Sequence, residues 1–344
     1  MATSTDVPVP ATRQALRVLP VGLVVIAALA GMLVAGSVGG IFTPPVAFSD
    51  GGAIARDGIP VARAIHDAFG AVTVGLLLLA GTMIPDTTQT ARRETACRWA
   101  ARTGVVWVLA GTVTMLLIIS NVTAIRVDSP DFARTVGAFV WSVDFFRVYL
   151  ISVLVALVAT VGAATVRTKP GMVWMAALSI AAYLPLALAG HSGGSLSHDT
   201  AVNSLAVHLA AAAVWCGGLA GLIMLRPVLG EAAGVTVRRY SVLAAWCFGG
   251  IAISGLLNGA VRLGELDQLT SSYGLLLLTK ASILMLLGVA GIMMRRRIAA
   301  GLTSGAGMAG AFTRLALLEI TLMGIAMGLG VGLARSATPV PRSR

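Results

Sequence analysis

Apolar residues run along this chain in long blocks rather than in alternation. The blocks fall at about 15–38, 62–85, 99–123, 145–166, 171–190, 200–225, 240–261, 274–294 and 312–334. A helix over any of them reaches across a hydrocarbon core of about 30 Å, with the fifth the shortest. The pattern predicts an all-α polytopic membrane bundle of about nine transmembrane helices over 15–335. A tail, 1–14, precedes it, and a tail or linker, 336–344, follows. The first block is too long for a signal peptide and lacks a convincing small-residue cleavage site, so it reads as a retained span.

The polar positions orient the bundle. With a cytoplasmic N-terminus, the inner segments carry fifteen basic residues, among them Arg13, Arg92, Arg93, Arg167, Arg238 and Arg295. The outer segments carry six: Arg56, Arg63, Arg126, Arg134, Arg147 and Arg262. That asymmetry predicts the N-terminus inside and the C-terminus outside. A composition 57% hydrophobic and 11% charged, with mean hydropathy +0.90, agrees that lipid is the main solvent. The net charge of +11 is then a property of the connectors and calls for no nucleic acid. Cys97, Cys216 and Cys247 show no CxxC spacing, which argues against a disulfide framework or zinc knuckle.

All four histidines fall on the outer side. His66 lies near the start of the second span, His191 ends the fifth, His198 sits in the following loop, and His208 is about 12 Å into the sixth. Neutral imidazole is a common ligand for copper, zinc and haem iron. An ionisable group as deep as His208 normally faces protein or a water-filled cavity. His191 and His208 can converge through a helix–loop–helix hairpin, with His66 a third ligand and His198 a less certain fourth. His198 taken alone reads as an ordinary loop residue.

Other intramembrane groups extend the candidates. Lys280 lies about 10 Å below the outer surface and Glu319 about 12 Å above the inner one. An inward-reaching Lys280 would let them pair across the last two helices; otherwise each snorkels or fixes packing. Met323 and Met327 share a helix face and offer two soft thioethers, although methionine in such a helix is usually packing material. Trp215 shares a stripe with His208.

The segments "AVHLAAAAVWCGGLAGLIML" (206–225), "RRYSVLAAWCFGGIAISGLLNG" (238–259) and "YGLLLLTKASILMLLGVAGIMMRRR" (273–297) resemble the copper resistance D (CopD) family of bacterial membrane proteins, with a core at about 200–300. His191, His208, Trp215, Gly217, Gly218, Tyr273, Gly274 and Lys280 carry the likeness. The resemblance implies copper transport or handling across the cytoplasmic membrane of a high-GC bacterium, with copper as cargo and no enzymatic activity. It is also compatible with the front part of a fusion to a cytochrome oxidase assembly (CtaG-like) module.

Two further readings stay open. One is a b-type haem electron carrier with His66 and His208 as axial ligands. The other is a scaffold whose outer segments 39–61 and 124–143 dock a periplasmic copper chaperone or an oxidase assembly factor.

Overall fold

The computed structural model describes residues 11–44, 50–85, 90–189, 198–263, 266–299 and 306–336. His191 and the tails 1–10 and 337–344 lie outside them. Among the described residues the protein is helical, with no strand. The helices are α1 (Ala11–Gly39), α2 (Ala53–Leu78), α3 (Thr90–Thr123), α4 (Phe132–Ser142), α5 (Asp144–Thr165), α6 (Lys169–Ala181), α7 (Leu184–Ala189), α8 (His198–Leu229), α9 (Ala233–Leu263), α10 (Ser272–Ala299) and α11 (Ala306–Arg335).

Eight stretches are long and apolar enough to cross a membrane. One of them, Val202–Leu263, is 62 residues long, about 93 Å of helix and three times a hydrocarbon core. It reverses at the single turn Gly230–Ala232, where Gly230 has φ 51°, a left-handed value that favours glycine. The side chain of Tyr240 then meets Gly218, and Gly250 faces Ala211 and Val207, so α8 and α9 are antiparallel neighbours. Counted this way, the described residues cross nine times. The bundle is a multi-pass membrane protein.

Glycines set the close approaches. Gly31 of α1 lies against the backbone of Ile325, and Gly328 of α11 against that of Ala28, leaving no room for a Cβ. Gly217 of α8 meets the Ala71 carbonyl of α2, and Gly75 meets Gly217 in return. Small residues of this kind drive helix association in lipid, where burial of apolar surface does not.

Three elements depart from the sequence pattern. Helix α2 starts at Ala53, not near 62, because Asp50 builds its N-terminal turn: Oδ1 accepts from the Gly52 N–H at 2.9 Å and Oδ2 from Arg56 at 2.8 Å. The segment read as a loop before the fourth span holds the short helix α4. The fifth span is broken at Ala182–Tyr183, since Pro185 has no N–H to return to the Ala181 carbonyl. Ser152 of α5 instead donates to the Ala182 carbonyl at 2.5 Å.

Candidate functional site

A polar cluster interrupts the apolar middle of α2. Arg63, His66 and Asp67 occupy positions i, i+3 and i+4, which share one helix face. The Arg63 Nε donates to Asp67 Oδ1 at 3.1 Å. His66 is 2% exposed, and its two ring nitrogens are both engaged. Nδ1 lies 2.9 Å from Asp67 Oδ1, and Nε2 accepts from Trp107 Nε1 of α3 at 3.0 Å. Because Nε2 accepts, the ring proton sits on Nδ1 and is donated to Asp67. Tyr183 stacks on Trp107 with ring centroids 5.6 Å apart, and its hydroxyl donates to the Asp67 carbonyl at 3.4 Å. Tyr149 of α5 buries its hydroxyl beside this cluster, near Arg63 and Thr114.

His208 has a different environment. Its Nδ1 lies 3.0 Å from Ser254 Oγ of α9, and Gly255 packs against the same ring. The single hydroxyl proton of Ser254 goes to the Gly250 carbonyl at 2.5 Å. Ser254 therefore accepts from His208, the imidazole proton is on Nδ1, and the Nε2 lone pair points elsewhere. The Ile251 carbonyl also lies within hydrogen-bonding reach of the ring, and among the described residues no hydrogen bond to Nε2 is found. A ring held through Nδ1 with Nε2 open is the arrangement found at metal-ligating histidines.

The two imidazoles share a level but not a face. Helices α2 and α8 run parallel, with Gly217 on Ala71 and Gly75, and Gly221 on Leu76 and Leu79. Nine residues earlier on both helices, His208 is level with Arg63 and His66. Nine residues are two and a half turns, so His208 points away from the α2–α8 seam toward α9. His66 is likewise turned from that seam, toward Gly111 and Trp107 of α3. The structure thus does not bring His66 and His208 together. A haem held by both is not supported, because one Nε2 is occupied and the two rings face apart. Among the described residues no three His, Cys, Asp or Glu side chains group closely enough to hold a metal.

The remaining candidates are placed as follows. His198 opens α8, and nothing is described of its side chain. Trp215 is buried, its ring edge-on to Phe248 at 5.8 Å, and its carbonyl accepts from the Tyr240 hydroxyl at 2.6 Å. Lys280 brings its ammonium against Gly330 of α11. It lies within electrostatic reach of Asp67, Arg262 and His208. The ion pair of Lys280 with Glu319 does not form. Gly330 is eleven residues beyond Glu319, about 16 Å along α11, which puts the ammonium too far from the carboxyl to pair. Met323 is buried and Met327 half-buried.

Asp67, Trp107 and Tyr183 escaped the sequence reading. A signal did exist for the first: the run "RAIHDAFG" places an arginine and an aspartate one helical turn apart inside an apolar stretch. Trp107 and Tyr183 reach His66 and Asp67 only through tertiary packing.

A buried imidazole, an ion pair inside the span and a glycine-sealed helical bundle define a polytopic membrane protein with a polar interior. Residues 234–333 match the family Copper resistance protein D, and residues 54–199 match Copper resistance protein D-like, N-terminal domain. The chain belongs to the copper resistance protein D (CopD) family. It is also 33% identical over 114 residues to the copper transport protein CutJ of Bacillus subtilis (strain 168), a stretch covering 31% of this chain and 21% of that protein. The match thus spans about a fifth of the relative's length. No solved structure matches the chain significantly.

Proposed function

We propose that this protein handles copper in the cytoplasmic membrane, taking the ion up at the His198 end of the bundle and passing it across. The His198 end is outside in this reading, as the arginine asymmetry requires, with the N-terminus in the cytoplasm and the C-terminus outside. The observation that carries the proposal is His208, whose Nδ1 is fixed by Ser254 while Nε2 stays open inside the membrane. The matched family and relative supply the metal, since both are named for copper.

His208 is the receiving ligand, and His191 and His198 from the segment just before it are its partners. His66 stands apart, its ring closed to metal unless Trp107 withdraws. Lys280 is the cation nearest His208, and its like charge shortens the residence of a bound ion and favours hand-on. The chain's external segments would meet a periplasmic copper chaperone or an oxidase assembly factor in this scheme.

Copper binding by the purified protein and copper uptake into vesicles test the reading. His208→Ala should abolish the nitrogen-bound copper population and uptake while the protein still folds, because alanine suits this alanine-rich helix. His198→Ala should weaken both much less. Equal effects of the two substitutions, or no effect of either, would sink the proposal.

A further inference from the structure

Helix α11 holds a carboxyl group that nothing in the fold answers. Glu319 is 8% exposed, and its Oε1 is buried without a hydrogen-bond partner. No ion pair to it exists among the described residues, and Lys280, the cation expected there, sits at the level of Gly330. In the interior of a membrane bundle a carboxyl must be neutralised, by a proton or by a cation that arrives.

The face it occupies is specific. Helix α11 packs against α1 through Gly324, Gly328 and Gly332. At 3.6 residues per turn, Glu319, Met323 and Met327 form a stripe on the opposite side. Met323 is 4% and Glu319 8% exposed, so these two turn into protein and not into lipid, while Met327 is half-buried. The stripe faces α8 and α9, in line with the electrostatic reach between Glu319 and Tyr240. At positions i, i+4 and i+8 the side chains are neighbours in sequence along the stripe, so each adjacent pair can hold one ion between them. One turn before Glu319, Ala316 lines a cleft shared with Leu219, Leu222, Arg226 and Thr313 at the Gly230 end of the bundle. The stripe therefore lies between this cleft on one side and Lys280 on the other.

We propose that Glu319, Met323 and Met327 form a second binding site, for a soft monovalent cation, Cu(I). Thioethers select Cu(I) over harder ions, and one carboxylate balances its single charge. The proposal rests on the copper reading above and adds a site on the Gly230 side of it. Binding is an exchange at the carboxyl oxygen: a proton leaves for the cleft as the ion enters, and no electron is transferred.

Cu(I) added to the purified protein under reductant, followed by competition with a chromophoric chelator and by X-ray absorption, tests this site. The wild type should show copper–sulfur scattering. The double substitution Met323→Leu and Met327→Leu should remove that scattering, and Glu319→Gln, which keeps the shape, should weaken the sulfur-bound population at least tenfold. His208→Ala should leave the sulfur signal in place although uptake is lost. Copper bound to nitrogen and oxygen alone in the wild type would overturn the α11 site and leave the histidine reading standing. A wild-type protein that binds no copper would overturn both.

Discussion

Trp107 Nε1 donates to His66 Nε2 at 3.0 Å, across the contact between α3 and α2. This bond and the Nδ1 contact to Asp67 together use the whole hydrogen-bonding capacity of the ring. His66 is thereby a structural joint that ties α2, α3 and, through the Trp107–Tyr183 stack, the α6–α7 break into one unit.

Replacing Trp107 by phenylalanine keeps an aromatic ring but deletes the donor, and leaves a buried lone pair unanswered. Loss of about 2 kcal/mol of stability should follow, read by denaturant unfolding in micelles. The ¹⁵N resonance of His66 Nε2 should move to the value of an unbonded acceptor. An unchanged midpoint with an unchanged resonance would show that the bond is not made.

Lys280 carries a prediction of opposite sign. Its ammonium lies within reach of His208, so a cation on His208 Nε2 is opposed by a like charge at low dielectric. Lys280→Met should tighten copper binding about tenfold, or about 1.4 kcal/mol, and slow its release. Uptake should fall even though affinity rises. Weaker binding in that variant would mean that Lys280 helps to build the site.

Much of the bundle was legible because apolar length is a strong signal, and each of the nine blocks found a helix. The start of α2 was not. Asp50, Gly51, Gly52, Arg56, Asp57 and Gly58 look like a loop in composition, yet Asp50 caps the turn and the helix begins at Ala53. The same misreading put Arg63 at the outer edge of the span and counted it only toward topology, so its pairing with Asp67 was missed. Charge complementarity suggested Lys280 with Glu319, but depth decides such pairs, and depth depends on how α10 and α11 are staggered. The open Nε2 of His208 follows from one hydroxyl on another helix, 46 residues away, which no local spacing announces.

The turn at Asp50 predicts a pH effect outside the membrane. Hydrogen bonding from the Gly52 N–H, then from Arg56, holds the Asp50 carboxyl below its ordinary value. A depressed carboxyl contributes stability in full above its unfolded value near 3.8, and loses it as pH falls through the folded value. Amide protection over 52–56 should persist at neutral pH and drop in acid below that value. In Asp50→Asn it should be lower at neutral pH and insensitive to acid. Wild-type protection that survives acid unchanged would refute the role of the carboxylate.

Ser254 offers the sharpest test of how His208 is prepared. Its hydroxyl proton is committed to the Gly250 carbonyl, so Oγ can only accept from His208 Nδ1–H. Ser254→Ala removes that acceptor without adding bulk, and the imidazole becomes free to turn and to carry its proton on either nitrogen. Groups that orient a metal-binding histidine in this way are typically worth 10- to 100-fold in affinity, so copper binding should weaken by about that factor. Ser254→Thr keeps the hydroxyl and should restore most of it. Because the serine acts only through the ring, the double variant His208→Ala, Ser254→Ala should bind no worse than His208→Ala alone. If Ser254→Ala binds copper like the wild type while His208→Ala does not, the Nδ1 contact is packing, and the open Nε2 arises from some other constraint on the ring.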